Sequence, residues 1–338
     1  MYSLFCRNYL LNSNKNIKLI LNYVVGPVVF CILVYAIYMQ VQRQSNWKQS
    51  LYRIAEAING QSAWMIVAAF LLMFVNWGIE ARKWQLALSA EQRISFFHSF
   101  KAIFSGATLA FFTPNRMGEF LGRVLHIEEG KRISSIALTV VCSIAQLMIT
   151  LFTGIGGIVF IKDRVVIPGG ANVIFWINLV AYTVSGVFLV LTIFYFRLSW
   201  LVRWVEKIPK IEKYLTYIRV LDRFNATILL RILSLSACRY LIFVAQYYLL
   251  FSVFGVEMDW WQTFWSVSVV FLVIAIVPSV ALVTELGVRR GASLEVLRLF
   301  SSNMAGILAA SLSVWIVNLV VPALIGSLLV PGHKIFRK

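Results

Sequence analysis

Long runs without charged residues constrain this 338-residue chain more than any other feature. The stretches 134–161, 171–196 and 302–330 contain no Asp, Glu, Lys or Arg. About 20 apolar residues in a helix cross the hydrocarbon core of a bilayer, where only helices and closed barrels satisfy the backbone hydrogen bonds. The chain is 60% hydrophobic and only 13% charged, a composition rarely found in soluble domains. The sequence therefore predicts an all-α polytopic membrane protein.

We predict about six full spans within a single integral membrane domain, residues 1–338. The spans are placed at 18–40, 63–80, 134–161, 171–196, 234–254 and 302–330. The first run is too long for the apolar part of a signal peptide and lacks a clear cleavage site, so we expect it to be retained. The first half then covers about 18–161 and the second half about 171–330.

Basic residues between the runs predict the orientation. Residues 197–233 hold eight Lys or Arg and three Asp or Glu, whereas 255–262 holds two acids and no base. By the positive-inside rule, both termini and 197–233 are cytoplasmic in a plasma or inner membrane, although the loop 41–62 scores +2 on the outside. The net charge of +17 thus indicates an anionic membrane surface as partner, not nucleic acid. Residues 200–224 are either interfacial helices or an ordinary basic loop.

Two shorter apolar segments resemble each other. "FFHSFKAIFSGATLAFFTP" (96–114) aligns with "WWQTFWSVSVVFLVIAIVP" (260–278), with a Phe fourteen positions before the proline in both. After each proline, a Glu is followed four residues later by an Arg. Short apolar segments interrupted by Pro or Gly at matching positions of two halves are typical of inverted-repeat transporters. We predict two re-entrant helix pairs, 96–132 and 260–300, that enter from opposite faces as an inverted repeat.

The stretch "FFTPNRMGEFLGRV" (111–124) places three charges between apolar runs. Pro114 can begin a helix but cannot continue one, so we predict a break and a new helix from this point. Arg116 would then lie in the first turn, where the helix dipole favours an anion. Glu119 and Arg123 share a helix face, and the alternative is that they only neutralise each other at an interface.

Other polar residues are candidates for the same site. Glu285 and Arg289 follow the second proline, among glycines that allow close approach or a bend, and the alternative is an exposed outer loop. Asn76 and Glu80 share one face of the second span, but charges at the end of a span also snorkel to water.

Arg239 lies in the first turns of the predicted span 234–254, and Gln246 lies two turns deeper. An ionisable residue within a span indicates a functional site, with snorkelling again the alternative. We expect Arg116 and Arg239 to converge on one polar cavity.

Motifs for other chemistry are missing from the sequence. It has three aspartates without a D-x-D, three scattered histidines without metal-ligand spacing, and neither a P-loop nor G-x-S-x-G. We therefore predict no metal, no cofactor and no catalytic residues, and four cysteines without a disulfide framework.

The segments "RKWQLAL", "TPNRMGEFLGRVL" and "PSVALVTELGVRRGASL" resemble the membrane domain of the lysylphosphatidylglycerol synthase and flippase-like family. Its first motif, Pro-x-Arg-x-Gly-Glu, matches Pro114, Arg116, Gly118 and Glu119. The chain departs from the family's second motif, Gly-x-Gly-Val-Arg-Glu, because Arg290 occupies the position where the family has an acid. The resemblance implies a domain that moves a charged lipid between leaflets, without the separate soluble domain that synthesises it.

We therefore predict a lipid translocase that binds a phospholipid or lipid-linked headgroup at a mid-membrane polar site. Arginines would hold the phosphate, and glutamates would hold an amine or balance the arginines. Two alternatives stay open: a membrane-embedded transferase with Glu119 as base, and a non-catalytic membrane partner of a soluble synthase. The substrate-binding candidates are Asn76, Glu80, Arg116, Glu119, Arg123, Arg239, Gln246, Glu285 and Arg289.

Overall fold

The computed structural model describes most of the chain after residue 46. The described residues are 28, 30–32, 34–35, 38–39, 42, 47–60, 62–113, 116–164, 171–198, 200, 203, 219–277 and 282–329. The side chains of 47, 49–51, 58–59, 171–173 and 282–286 are outside this description. Much of the predicted first span, most of 200–224, and both Pro114 and Pro278 therefore lie outside the described residues.

The described residues form eleven α-helices joined by turns. They are α1 Trp47–Asn59, α2 Ala63–Leu88, α3 Phe96–Phe111, α4 Gly118–Val124, α5 Arg132–Lys162, α6 Ala171–Phe196, α7 Ala226–Val253, α8 Trp260–Ile276, α9 Leu282–Leu297, α10 Met304–Trp315 and α11 Val321–Leu329. A π-helical turn, Ile316–Val320, joins α10 to α11, so the two form one continuous rod.

Five helical segments in the described part are long and apolar enough to cross a membrane. They are Ala63–Leu88, Glu129–Lys162, Ile174–Phe196, Ala226–Val253 and Met304–Leu329. Five of the six predicted spans, and the polytopic helical fold, are thus confirmed. The predicted start of the fifth span was wrong, because α7 begins eight residues earlier, where Asn225 Oδ1 accepts a hydrogen bond from the Ile228 backbone N–H at 2.9 Å.

Helices α2 and α7 run antiparallel at the centre of the molecule. Lys83 Nζ lies 3.4 Å from Ser236 Oγ, and Gln246 Nε2 donates to the Ala69 carbonyl oxygen at 2.8 Å. The end of α2 therefore lies beside the start of α7. We name the two ends of the bundle the Leu88 end and the Ala63 end, after the residues that bound α2.

The two short helix pairs lie at opposite ends of this bundle. The pair α3–α4 begins and ends near the Leu88 end, where His98 Nε2 and the His126 carbonyl oxygen are 2.8 Å apart. The pair α8–α9 belongs to the Ala63 end, where the Phe160 ring stacks against both Trp265 and Phe300. This placement agrees with two re-entrant pairs, whereas a symmetry relating the two halves stays a prediction.

Close backbone packing holds α4 against α3. A Cβ on Gly118 would overlap the Leu109 carbonyl oxygen, and one on Gly122 would lie 2.5 Å from the Gly106 nitrogen. The glycine of the first motif, Gly118, thus allows the backbones of α3 and α4 to pack closely. Any larger side chain would prevent this contact.

Two expectations about these pairs were wrong, and one alternative, the exposed outer loop, is contradicted. Arg116 has a φ of 58° and precedes α4, so it does not lie in the first turn of a right-handed helix. Residues 282–297 form helix α9, with Ala292 and Val296 buried, rather than an exposed outer loop. Gly287 and Gly291 lie within this helix, and a Cβ on either would meet no atom of the described residues within 4 Å, so neither marks a close approach or a bend there.

Candidate functional site

Glu80 is the centre of a buried group of charges contributed by three helices. Its Oε1 accepts a hydrogen bond from Arg123 Nη2 of α4 at 2.9 Å. Its Oε2 accepts from Arg239 Nη1 of α7 at 2.9 Å and lies 2.7 Å from Lys83 Nζ of α2. The Glu80 and Arg123 side chains are only 4% and 2% exposed. One carboxylate therefore ties together three cations inside the bundle.

Glu119 extends this group toward the outside of the bundle. Its Oε1 is ion-paired with Arg123, and its Oε2 lies 3.8 Å from Arg116 Nη2. The Arg116 side chain is 36% exposed, so the charges pass from fully buried at Glu80 to accessible at Arg116. We call this connected set the charge cluster: Glu80, Lys83, Arg116, Glu119, Arg123 and Arg239.

The structure excludes three of the alternative interpretations of these residues. Arg239 lies in the middle of α7, roughly 20 Å from either end at 1.5 Å per residue, and its side chain is directed to Glu80. Glu80 is likewise buried, so neither side chain snorkels to water. Arg123 contacts both Glu80 and Glu119, so its pairing with Glu119 is more than neutralisation at an interface.

Asn76 connects the charge cluster to the π-helical turn of the last span. Arg239 Nε donates to Asn76 Oδ1 at 2.9 Å, and Asn76 Nδ2 donates to Asn318 Oδ1 at 3.3 Å. Asn318 lies within the π turn and donates to the Val314 carbonyl oxygen at 3.2 Å. Such turns occur frequently at functional sites. Asn318 is not among the residues predicted from the sequence, although an asparagine in an uncharged span was a usable signal.

A small pocket adjoins the charge cluster. Its walls include Arg116, Trp77, Phe111 and Leu319, and its cavity volume of about 10 Å³ is room for about one water molecule. The Arg239 guanidinium lies over the Trp77 ring, 5.4 Å from its centre. Arg116 and Arg239 thus both lie near Trp77, but they pair with different carboxylates, Glu119 and Glu80, and only Arg116 lines the pocket.

Two predicted site residues make their contacts elsewhere. Gln246 is buried and bonds to the Ala69 carbonyl oxygen, two turns along α7 from Arg239. Arg289 Nη1 donates to Tyr247 Oη at 3.1 Å, also toward the Ala63 end. The Glu285 side chain lies outside the described residues. The structure therefore brings six of the nine predicted residues together: Asn76, Glu80, Arg116, Glu119, Arg123 and Arg239.

A bundle of apolar spans with a buried ionic site between α2, α4 and α7 defines an integral membrane protein with a polar interior. The family model for the lysylphosphatidylglycerol synthase TM region matches residues 20–326, and the chain belongs to this family. The resemblance found in the motifs is thus confirmed. A comparison with curated proteins finds no match.

Proposed function

We propose that this protein translocates a lipid between leaflets by binding its charged headgroup at the charge cluster. The observation that carries the proposal is the ionic site at the middle of α7, a helix otherwise suited to cross a membrane. A charge inside a bilayer is costly, and buried ion pairs give little net stability compared with apolar packing. A role in binding a headgroup accounts for the six ionisable side chains of the charge cluster.

The placement of the re-entrant pairs supports movement across the membrane. The pair α3–α4 supplies Arg116, Glu119 and Arg123 from the Leu88 end, and α8–α9 approaches from the Ala63 end. In this proposal both termini and the Leu88 end are cytoplasmic. The pocket of about 10 Å³ has room for no more than a water molecule, so in this proposal the conformation is closed and α3–α4 moves to admit a headgroup.

Leaflet exchange in reconstituted vesicles tests the proposal. Purified protein is inserted into vesicles with fluorescent phospholipids, and an impermeant quencher reports which lipids have reached the outer leaflet. We expect Arg239→Lys to slow exchange about 10-fold or more, since losing one charge-assisted hydrogen bond costs about 1.5–3 kcal/mol. The matched control is Arg82→Lys on α2, because Arg82 is exposed and, among the described residues, its guanidinium bonds to the neighbouring Gln85 rather than to the charge cluster. It should leave the rate unchanged.

The same preparation separates the alternatives. Exchange no faster than in protein-free vesicles would contradict translocation. A new lipid species formed by the protein would instead indicate a transferase. Inertness that ends when a soluble synthase is added would indicate a partner subunit.

A further inference from the structure

We infer that the headgroup held by the charge cluster is a phosphate monoester, which the cluster prefers to a headgroup with net positive charge. This inference rests on the proposed function and names the chemistry of its ligand. The first observation is the net charge of the cluster. Four bases, Lys83, Arg116, Arg123 and Arg239, face two acids, Glu80 and Glu119, so the described cluster carries 4 − 2 = +2.

Three of the four carboxylate oxygens of the charge cluster are already engaged. Glu80 uses Oε1 for Arg123 and Oε2 for Lys83 and Arg239. Glu119 uses Oε1 for Arg123 and directs Oε2 toward Arg116. Glu80 therefore has no oxygen left over for the ammonium of a headgroup. Glu119 Oε2 is beyond hydrogen-bond distance of Arg116, but it faces a cation that already balances its charge.

Hydrogen-bond donors, in contrast, are in excess. Arg123 Nε and Nη1 are buried and have no hydrogen-bond partner among the described residues, and the same holds for Trp77 Nε1. Arg123 and Trp77 are 1% and 2% exposed. Buried donors are normally satisfied, so these atoms indicate a missing acceptor. A phosphate monoester supplies three acceptor oxygens and a charge of about −1.5 to −2 at pH 7.

The charge of the ligand discriminates among lipids. A monoester dianion neutralises an excess of +2, a phosphodiester neutralises about half of it, and a headgroup with a net positive charge increases it. Leaving buried charge uncompensated is unfavourable. The residues predicted after the second proline cannot supply a further negative charge, since the two bases Arg289 and Arg290 outnumber the one acid, Glu285.

Arg116 is placed to receive the phosphate first. It is the most exposed cation of the cluster, it lines the pocket beside Trp77, and its φ of 58° is uncommon for a residue with a side chain. Glycine adopts this conformation without strain, so Arg116→Gly removes the guanidinium while preserving the backbone.

Exchange rates of three fluorescent lipids with identical acyl chains test the inference. The lipids are phosphatidic acid, a monoester; phosphatidylglycerol, a diester; and an aminoacylated phosphatidylglycerol with net positive charge. We expect phosphatidic acid to exchange fastest, at least 10-fold faster than the cationic lipid. Arg116→Gly should remove most of this preference, and Trp77→Phe, which deletes the buried indole N–H but keeps a ring, should reduce it. The control Arg298→Gln changes an exposed pair with Glu295 and should leave the preference intact.

The outcomes separate this inference from the proposed function. Faster exchange of the cationic lipid would overturn the inference and leave translocation standing, whereas no exchange of any lipid would overturn both. Binding of inorganic phosphate to the purified protein is the last measurement. If phosphate binds and Arg116→Gly abolishes that binding while phosphatidic acid is not moved, the site serves free phosphate, and the assignment to a lipid is wrong.

Discussion

Glu80→Gln is expected to destabilise this protein by about 3–5 kcal/mol, the usual cost of removing one partner from a buried ion pair. The amide cannot compensate Lys83, Arg123 and Arg239, which would remain buried and mutually repulsive. The measurement is the free energy of unfolding in mixed detergent micelles. The Glu80→Gln variant should also lose lipid exchange, because α2, α4 and α7 are joined through this carboxylate.

Glu295→Gln is the matched control for this change. Glu295 also pairs closely with an arginine, Arg298, at 2.6 Å, but its side chain is 64% exposed. Exposed pairs contribute little, so this variant should differ from the parent by less than about 1 kcal/mol. Equal stability of the Glu80 and Glu295 variants would show that the charge cluster is not the buried ionic centre described above.

Gly122→Ala should produce the second large effect. The added methyl group would lie 2.5 Å from the Gly106 nitrogen and the Ser105 oxygen, which are backbone atoms that cannot rotate away. Overpacking of this kind costs about 1–3 kcal/mol. It would also displace α4, which carries Glu119 and Arg123, so exchange should fall more than stability does. Unfolding and exchange are measured on the same preparations.

Gly186→Ala tests whether the effect depends on position. Gly186 lies in α6, where a new Cβ would meet nothing within 4 Å. Alanine is the better helix former by about 0.5–1 kcal/mol, so this variant should be neutral or slightly stabilised. If both glycine variants behave alike, close packing of α3 against α4 does not position the charge cluster.

The spans could be predicted from the sequence because an uncharged run of sufficient length has one favourable environment, the bilayer. The start of α7 was missed because residues 226–233 include Arg231 and fall outside the apolar run, although Asn225 was a recognisable N-cap. Helix ends depend on such local bonds, which a count of apolar residues does not detect.

The candidate site was predicted less completely. The spacing of residues on one helix face predicts pairs such as Glu119 and Arg123. It does not predict the contact of Arg123 with Glu80, 43 positions away. That contact depends on how α4 packs against α2. Arg116 was misplaced for a different reason, since an arginine with positive φ is not expected from its residue type.

The central claim is that the charge cluster holds a lipid headgroup, and native mass spectrometry of the purified protein tests it most directly. The parent protein and Arg82→Lys should each retain a lipid adduct at collision energies that remove the surrounding detergent and loosely bound lipid. Arg239→Lys, equally folded, should lose most of this adduct, because a single ammonium cannot reproduce the planar fork that bonds Asn76 through Nε and Glu80 through Nη1. Equal retention of the adduct by all three proteins, or no adduct on the parent, would contradict the account.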